Sequence, residues 1–214
     1  MEIIKAFYES RNEVDSAPMA AYMKNQFPFL GLKKPARQEI YKEYVKGWKE
    51  SKTIDWEFIW YCWRLPEREF QYLALSYLDA VGKLLKVDDL QRLEKLITDK
   101  SWWDTVDSIS PLVGQIALSN PISKEEHIAK WIINKNIWLK RVSILFQLKF
   151  KRNTDTEFLE KAIISNSLTR EFFVDKAIGW ALREYSKTDK EWVKKFIDSN
   201  ELSRLSVREA SKYL

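Results

Sequence analysis

Residues 101–110 read SWWDTVDSIS and place Trp103 and Asp107 four positions apart. On a helix that spacing puts an indole and a carboxylate on one face. A buried apolar stripe has no use for Asp107, and a solvated face has none for Trp103. Together they suit a cationic or electron-poor group, because the carboxylate supplies charge and the indole face supplies negative quadrupole density. Further along, FFVDKAIGWALREY sets Lys176, Trp180 and Arg183 at spacings of four and three, again on one helix face, and IWLKRVSILFQL carries Arg141. Each residue also has an ordinary structural use. Trp180, next to Gly179, fits a core position beside a close helix contact. Asp107 and Arg141 fit an inter-repeat ion pair, and Asp104 fits the capping partner of Ser101.

The elements that must position these residues show themselves as a repeat. Trp103, Trp138 and Phe173 recur every 35 residues, and three positions on the comb gives Val106, Arg141 and Lys176. One step earlier it lands on Arg68 and Gln71, and a shorter last step of 32 reaches Leu205 and Arg208. Each tooth opens an apolar pattern of helical period. The stretches before them, LQRLEKLIT, KEEHIAKWII and DTEFLEKAII, read as a second helix in each unit. Capping boxes are expected at Ser101/Asp104, Ser123/Glu126, Thr154/Glu157, Thr188/Glu191 and Ser206/Glu209. The expected fold is all-α, an α-solenoid of stacked HEAT-like helix pairs over residues 1–214 as a single domain, with a concave face built by the inner helices. Those inner helices would bring Trp103 and Asp107, then Arg141, then Lys176, Trp180 and Arg183 together, with Trp102 turned to the core.

Composition agrees and excludes much else. Five glycines and six prolines in 214 residues favour long helices over a turn-rich β protein. No apolar run reaches the roughly 18 residues of a membrane span, and the N-terminus lacks a secretory layout, so a cytoplasmic protein is expected. Cys62 and His127 are the only residues of their kinds. One cysteine makes no internal disulfide, and the two together build no zinc site. His127 in SKEEH is expected on the first turn of a solvated helix, which leaves no triad. No glycine-rich phosphate loop is present, so neither metal nor organic cofactor is expected. A net charge of +5 is compatible with nucleic acid or an acidic partner, and ten tryptophans exceed what a core of this size needs.

Over nearly the whole chain, and in order, the sequence resembles the AlkD-type DNA alkylation repair glycosylases. SWWDTVDSISP, NIWLKRVSILFQLKFK and FFVDKAIGWALREYSKT are similar to that family's three signature segments, and PMAAYMKNQFPFLGLKKPAR and LPEREFQYLAL to its N-terminal half. The resemblance implies a HEAT-like solenoid that excises cationic alkylated purines, chiefly of the 3-methyladenine and 7-methylguanine types, from duplex DNA while the lesion stays stacked. By the same resemblance, Asp107 matches the catalytic aspartate, Trp103 and Trp180 the paired tryptophans, and Arg141 the backbone-contacting arginine. Tyr22 and Arg183 fall in further matching segments on the DNA-facing surface.

These residue types suit that reaction. Glycosidic cleavage develops positive charge on the sugar, which a carboxylate can stabilise while orienting water. Arg141, Arg183 and Lys176 suit phosphates, and Lys33, Lys34 and Arg37 of LGLKKPAR are either further phosphate contacts or a solvated loop. No positioned His or Lys acid is evident to protonate a leaving base, which favours a substrate that is already cationic. A monomeric, monofunctional enzyme with duplex DNA as partner is therefore expected. The rival is a non-catalytic solenoid that binds DNA or a protein and has no use for Trp103, Asp107 and Trp180 as a group.

Overall fold

A computed structural model describes residues 1–214, with thirteen α-helices and no strand. No helix is long and apolar enough to cross a membrane. By their internal packing, residues Met1–Leu85 and Lys86–Leu214 form two compact units.

The first unit contains α1 (Glu2–Glu9), α2 (Glu13–Tyr22), α3 (Lys34–Glu50), α4 (Trp56–Arg64) and α5 (Arg68–Val81). Helix α5 packs against both α3 and α4 and buries Phe70, Leu73 and Leu78 completely. Its first turn also buries a charge. Glu69 is fully covered and accepts the backbone N–H groups of Leu30, Gly31 and Leu32, each at 2.9 Å. Three donors replace the hydration that burial removes, so the carboxylate pins the loop leading into α3. Gly31 has φ +84° there, and a Cβ would sit 1.9 Å from the Asn12 carbonyl oxygen. Cys62 on α4 is fully buried, and burial pushes its thiol up to about 12, away from nucleophilic use at neutral pH.

In the second unit the helices alternate between two layers. One layer consists of α7 (Trp103–Ser119), α9 (Ile137–Leu145), α11 (Phe172–Tyr185) and α13 (Arg204–Ala210), each packed on the next. The other consists of α6 (Leu90–Thr98), α8 (Ala129–Ile132), α10 (Thr156–Ile164) and α12 (Lys190–Ser199). Of these, α6 covers α7 and α9, α8 and α10 cover α9, and α12 covers α11. The starts of α5, α7, α9, α11 and α13 fall within one residue of the 35-residue comb and its shorter last step. Counting from those starts, Asp107, Arg141, Lys176 and Arg208 hold the same place in four successive helices. Asp107 and Arg141 are thus in register, without the one-residue offset that the comb suggested.

The helix starts are capped otherwise than the boxes suggested. Asp155 and Asp189, each one residue after the expected threonine, accept the N–H of Phe158 and Trp192 at 2.9 Å. A carboxylate answers the positive end of a helix better than a hydroxyl does. Ser203, not Ser206, caps α13 by accepting from the Ser206 N–H, and Ser206 and Glu209 lie inside that helix. Ser123 leads into a π-helical turn over Lys124–Ile128, where His127 is half-buried rather than on a solvated first turn. Ser101 donates to the Ile97 carbonyl and so closes α6, leaving Trp102 as the residue before α7. The Trp102 ring lies 5.8 Å from Trp138 and 5.1 Å from Phe173, joining the starts of three stacked helices.

Candidate active site

Asp107 lies one turn into α7, with 17% of its side chain exposed. Arg141, at the same place in α9, has a side chain only 5% exposed and holds it from one side. Arg141 Nε donates to Asp107 Oδ1 at 2.7 Å and one terminal nitrogen donates to Oδ2 at 2.8 Å. The other terminal nitrogen donates to the Phe173 carbonyl at the start of α11. This two-pronged geometry fixes the plane of the carboxylate, which one lysine could not do. Each carboxylate oxygen keeps a second lone pair for another donor, such as a water.

The free side of Asp107 opens onto a cleft of about 220 Å³. Ser110, Pro111, Gln115 and Leu118 of α7 form one wall, the chain from Leu145 to Phe150 another, and Trp180 of α11 a third. Two sequence features shape it. Pro111 lies inside α7 and has no N–H to donate to the carbonyl four residues back, which is that of Asp107. Gly114 lets α7 close on the end of α9, since a Cβ there would lie 2.1 Å from the Phe146 carbonyl oxygen.

Trp180 is flanked on its own helix face by Lys176 and Arg183, and both are held by one carboxylate. Lys176 Nζ is 3.1 Å and an Arg183 terminal nitrogen 2.9 Å from Glu209 on α13, and Lys212 Nζ reaches the same group at 2.7 Å. Hydrogen bonds from Lys212 and Lys176 pull the Glu209 carboxyl down to about 2.

A carboxylate clamped by an arginine thus stands beside an aromatic-walled cleft, with cations alongside. The family model described as DNA alkylation repair enzyme matches residues 3–214. This chain belongs to that family. Its fold is shared with a solved structure described as a predicted DNA alkylation repair enzyme from Enterococcus faecalis. The two are 34% identical, with a TM-score of 0.89 over 95% of this chain and 96% of that one. A search of curated proteins found no match. Membership makes the chain an enzyme of DNA repair that acts on alkylation damage.

Within this repair-enzyme fold, the residues singled out from sequence fall into groups. Asp107, Arg141 and Trp180 come together, and Lys176 and Arg183 join Trp180 through α11. Trp103 is the half-buried first residue of α7 and does not line the cleft. Tyr22, Lys33, Lys34 and Arg37 belong to the other unit. Tyr22 ends α2 and is 70% exposed. Lys33 pairs with Asp15 at 2.6 Å, Lys34 is the exposed first residue of α3, and Arg37 donates to the Leu32 carbonyl and lies 4.4 Å over the Tyr72 ring. Nowhere in the chain do three His, Cys, Asp or Glu side chains converge as a metal ion would require.

Sequence reasoning missed Glu209. Its signal was present in LSVREASKYL, but an S-x-x-E spacing reads as a capping box until the true helix start is known.

Proposed function

We propose that the protein is a monofunctional DNA glycosylase that releases cationic N3- and N7-alkylated purines from duplex DNA. The single observation that supports this best is the Asp107 carboxylate, held rigid by Arg141 and open on its other side to a cleft walled by Trp180. In the reaction the bond between C1′ of the sugar and the purine nitrogen breaks, and its electron pair passes to the purine, cancelling the positive charge. The base therefore leaves neutral and needs no acid. The sugar is left electron-poor at C1′ and O4′, and Asp107 stabilises that charge. Water bound to Asp107 attacks C1′, its proton passes through the carboxylate to solvent, and an abasic site remains.

Trp180, with Trp103 nearer the start of α7, offers ring faces to the cationic base or sugar. Lys176 and Arg183 hold the phosphate backbone, with Tyr22, Lys33, Lys34 and Arg37 as further DNA contacts from the first unit. Arg141 acts on the reaction by orienting Asp107. The open form of the cleft fits a lesion that stays stacked, and the protein works as a cytoplasmic monomer on duplex DNA without metal or cofactor.

The test is release of 7-methylguanine from methylated duplex DNA by the wild type and by Asp107→Asn. We expect the variant to lose at least ~100-fold in rate, the order of an oriented electrostatic group. Wild type that releases no base removes the activity. Equal release by both proteins reduces Asp107 to an inter-repeat ion pair.

A further inference from the structure

We propose that Glu209 builds a phosphate-binding site from Lys176, Arg183 and Lys212, and that its ligand is a backbone phosphate of DNA. The proposal rests on the reading of duplex DNA as substrate and adds a positioning residue and a further cation to it.

The geometry is that of a buried anchor with cations turned outward. Only 9% of the Glu209 side chain is exposed, against 37% for Lys176, 24% for Arg183 and 47% for Lys212. An approaching group therefore meets ammonium and guanidinium faces, while the carboxylate lies beneath them. Three cations around one carboxylate leave two positive charges in excess, enough for a phosphate diester with charge to spare. The bonds to Glu209 use one donor from each cation, and further N–H donors remain on all three. Without the carboxylate the three cations would repel one another and spread. With it, they are held together at low cost in side-chain entropy when a phosphate arrives.

Position connects the cluster to the cleft. Gly179 lets α13 press onto α11 just before Trp180, because a Cβ at Gly179 would lie 2.5 Å from the Glu209 Cβ. Lys176 and Arg183 stand one turn to either side of Trp180. A phosphate held by this cluster is thus fixed relative to the ring that lines the same cleft as Asp107. That is how a contact without base information sets the register of a sugar at a catalytic carboxylate.

The sign of one charge change tests the idea. Glu209→Gln makes the protein more positive, so if Glu209 only neutralises its neighbours, the variant binds DNA more tightly. If Glu209 positions them, binding weakens despite the added charge. The measurement is binding of a fluorescein-labelled, unmodified duplex over a range of salt concentrations, with a thermal melt for each protein. We expect Glu209→Gln to bind about tenfold more weakly. Its slope of log affinity against log salt should fall by about 1–2, as expected when one or two phosphate contacts are lost. In base release, KM should rise with kcat little changed. A folded Glu209→Gln protein that binds as tightly as wild type, or more tightly, overturns the proposal.

Lys212→Ala covers the case in which Glu209→Gln does not fold. It should weaken binding and lower the slope by about 1, whereas Lys194→Ala on α12, with the same charge change, should do neither. Equal losses from both lysine variants also overturn the proposal. Wild type that binds duplex but releases no base removes the glycosylase chemistry and leaves the site to be decided by binding alone. Wild type that binds no duplex removes the DNA reading and this site with it.

Discussion

Arg141 and Asp107 stand 34 residues apart in the chain and meet through two hydrogen bonds, of 2.7 and 2.8 Å, one to each carboxylate oxygen. The pair couples the packing of α7 on α9 to the orientation of the candidate catalytic carboxylate. One consequence is that Arg141→Lys keeps the charge but loses the fork. We expect base release to drop about 100-fold, the order of a misplaced reacting group. Stability should fall by about 1–3 kcal/mol, because Asp107 and the Phe173 carbonyl each lose a donor. Single-turnover base release and urea denaturation would read the two effects separately.

The three N–H groups on Glu69 give a second expectation. Glu69→Gln supplies one carbonyl oxygen where a carboxylate served three donors, and its amide brings donors of its own to a donor-lined site. Stability should fall by about 1–3 kcal/mol. Hydrogen exchange at Leu30, Gly31 and Leu32 should accelerate well before the core amides do. Unchanged exchange at those three amides would show that the loop is held by other means.

Glycine replacements should separate close approach from open space. Gly114→Ala drives a Cβ to 2.1 Å from a backbone oxygen, which cannot rotate away, so a loss of about 1–3 kcal/mol or more is expected. Gly47→Ala, in α3, meets nothing within 4 Å and should raise stability by roughly 0.5–1 kcal/mol through helix propensity. Chemical denaturation of both variants checks the contrast, and it fails if the two changes share a sign.

Glu209 predicts an acid limb. Its carboxyl is held at about 2, below the ordinary 4.5, so the native state favours the charged form. The stabilisation is fully present above about pH 4.5 and is lost as pH falls through about 2. The stability difference between wild type and Glu209→Gln should therefore shrink steadily across that window and stay flat above it. Denaturation curves at intervals of half a pH unit would show this. A difference independent of pH would mean that the carboxyl is not held by Lys176 and Lys212.

Period and patterning made much of the fold legible before any coordinates. The 35-residue comb found the starts of five helices, because each repeat must present an apolar stripe to its neighbours at the same place. Trp103 and Asp107 stood out because a bulky aromatic and a charge on one helix face fit neither core nor solvent, and the comb set Arg141 and Trp180 on the next inner helices. The caps were less legible. Serine or threonine three residues before an acid is common, and the choice between Thr154 and Asp155, or Ser203 and Ser206, turns on backbone dihedrals that a motif does not encode.

The amino-acid sequence by itself determined that the chain is helical and that its units repeat, since these follow from local spacing, and it offered a few residues as candidates for chemistry. Only the tertiary structure decided who partners whom. It put both oxygens of Asp107 on Arg141, set Trp180 rather than Trp103 on the cleft, and gathered Lys176 and Arg183 onto Glu209. Such pairings depend on the depth and rotation of one helix against the next. Those are fixed by close contacts such as Gly114 on Phe146 and Gly179 on Glu209, which no single segment of sequence contains.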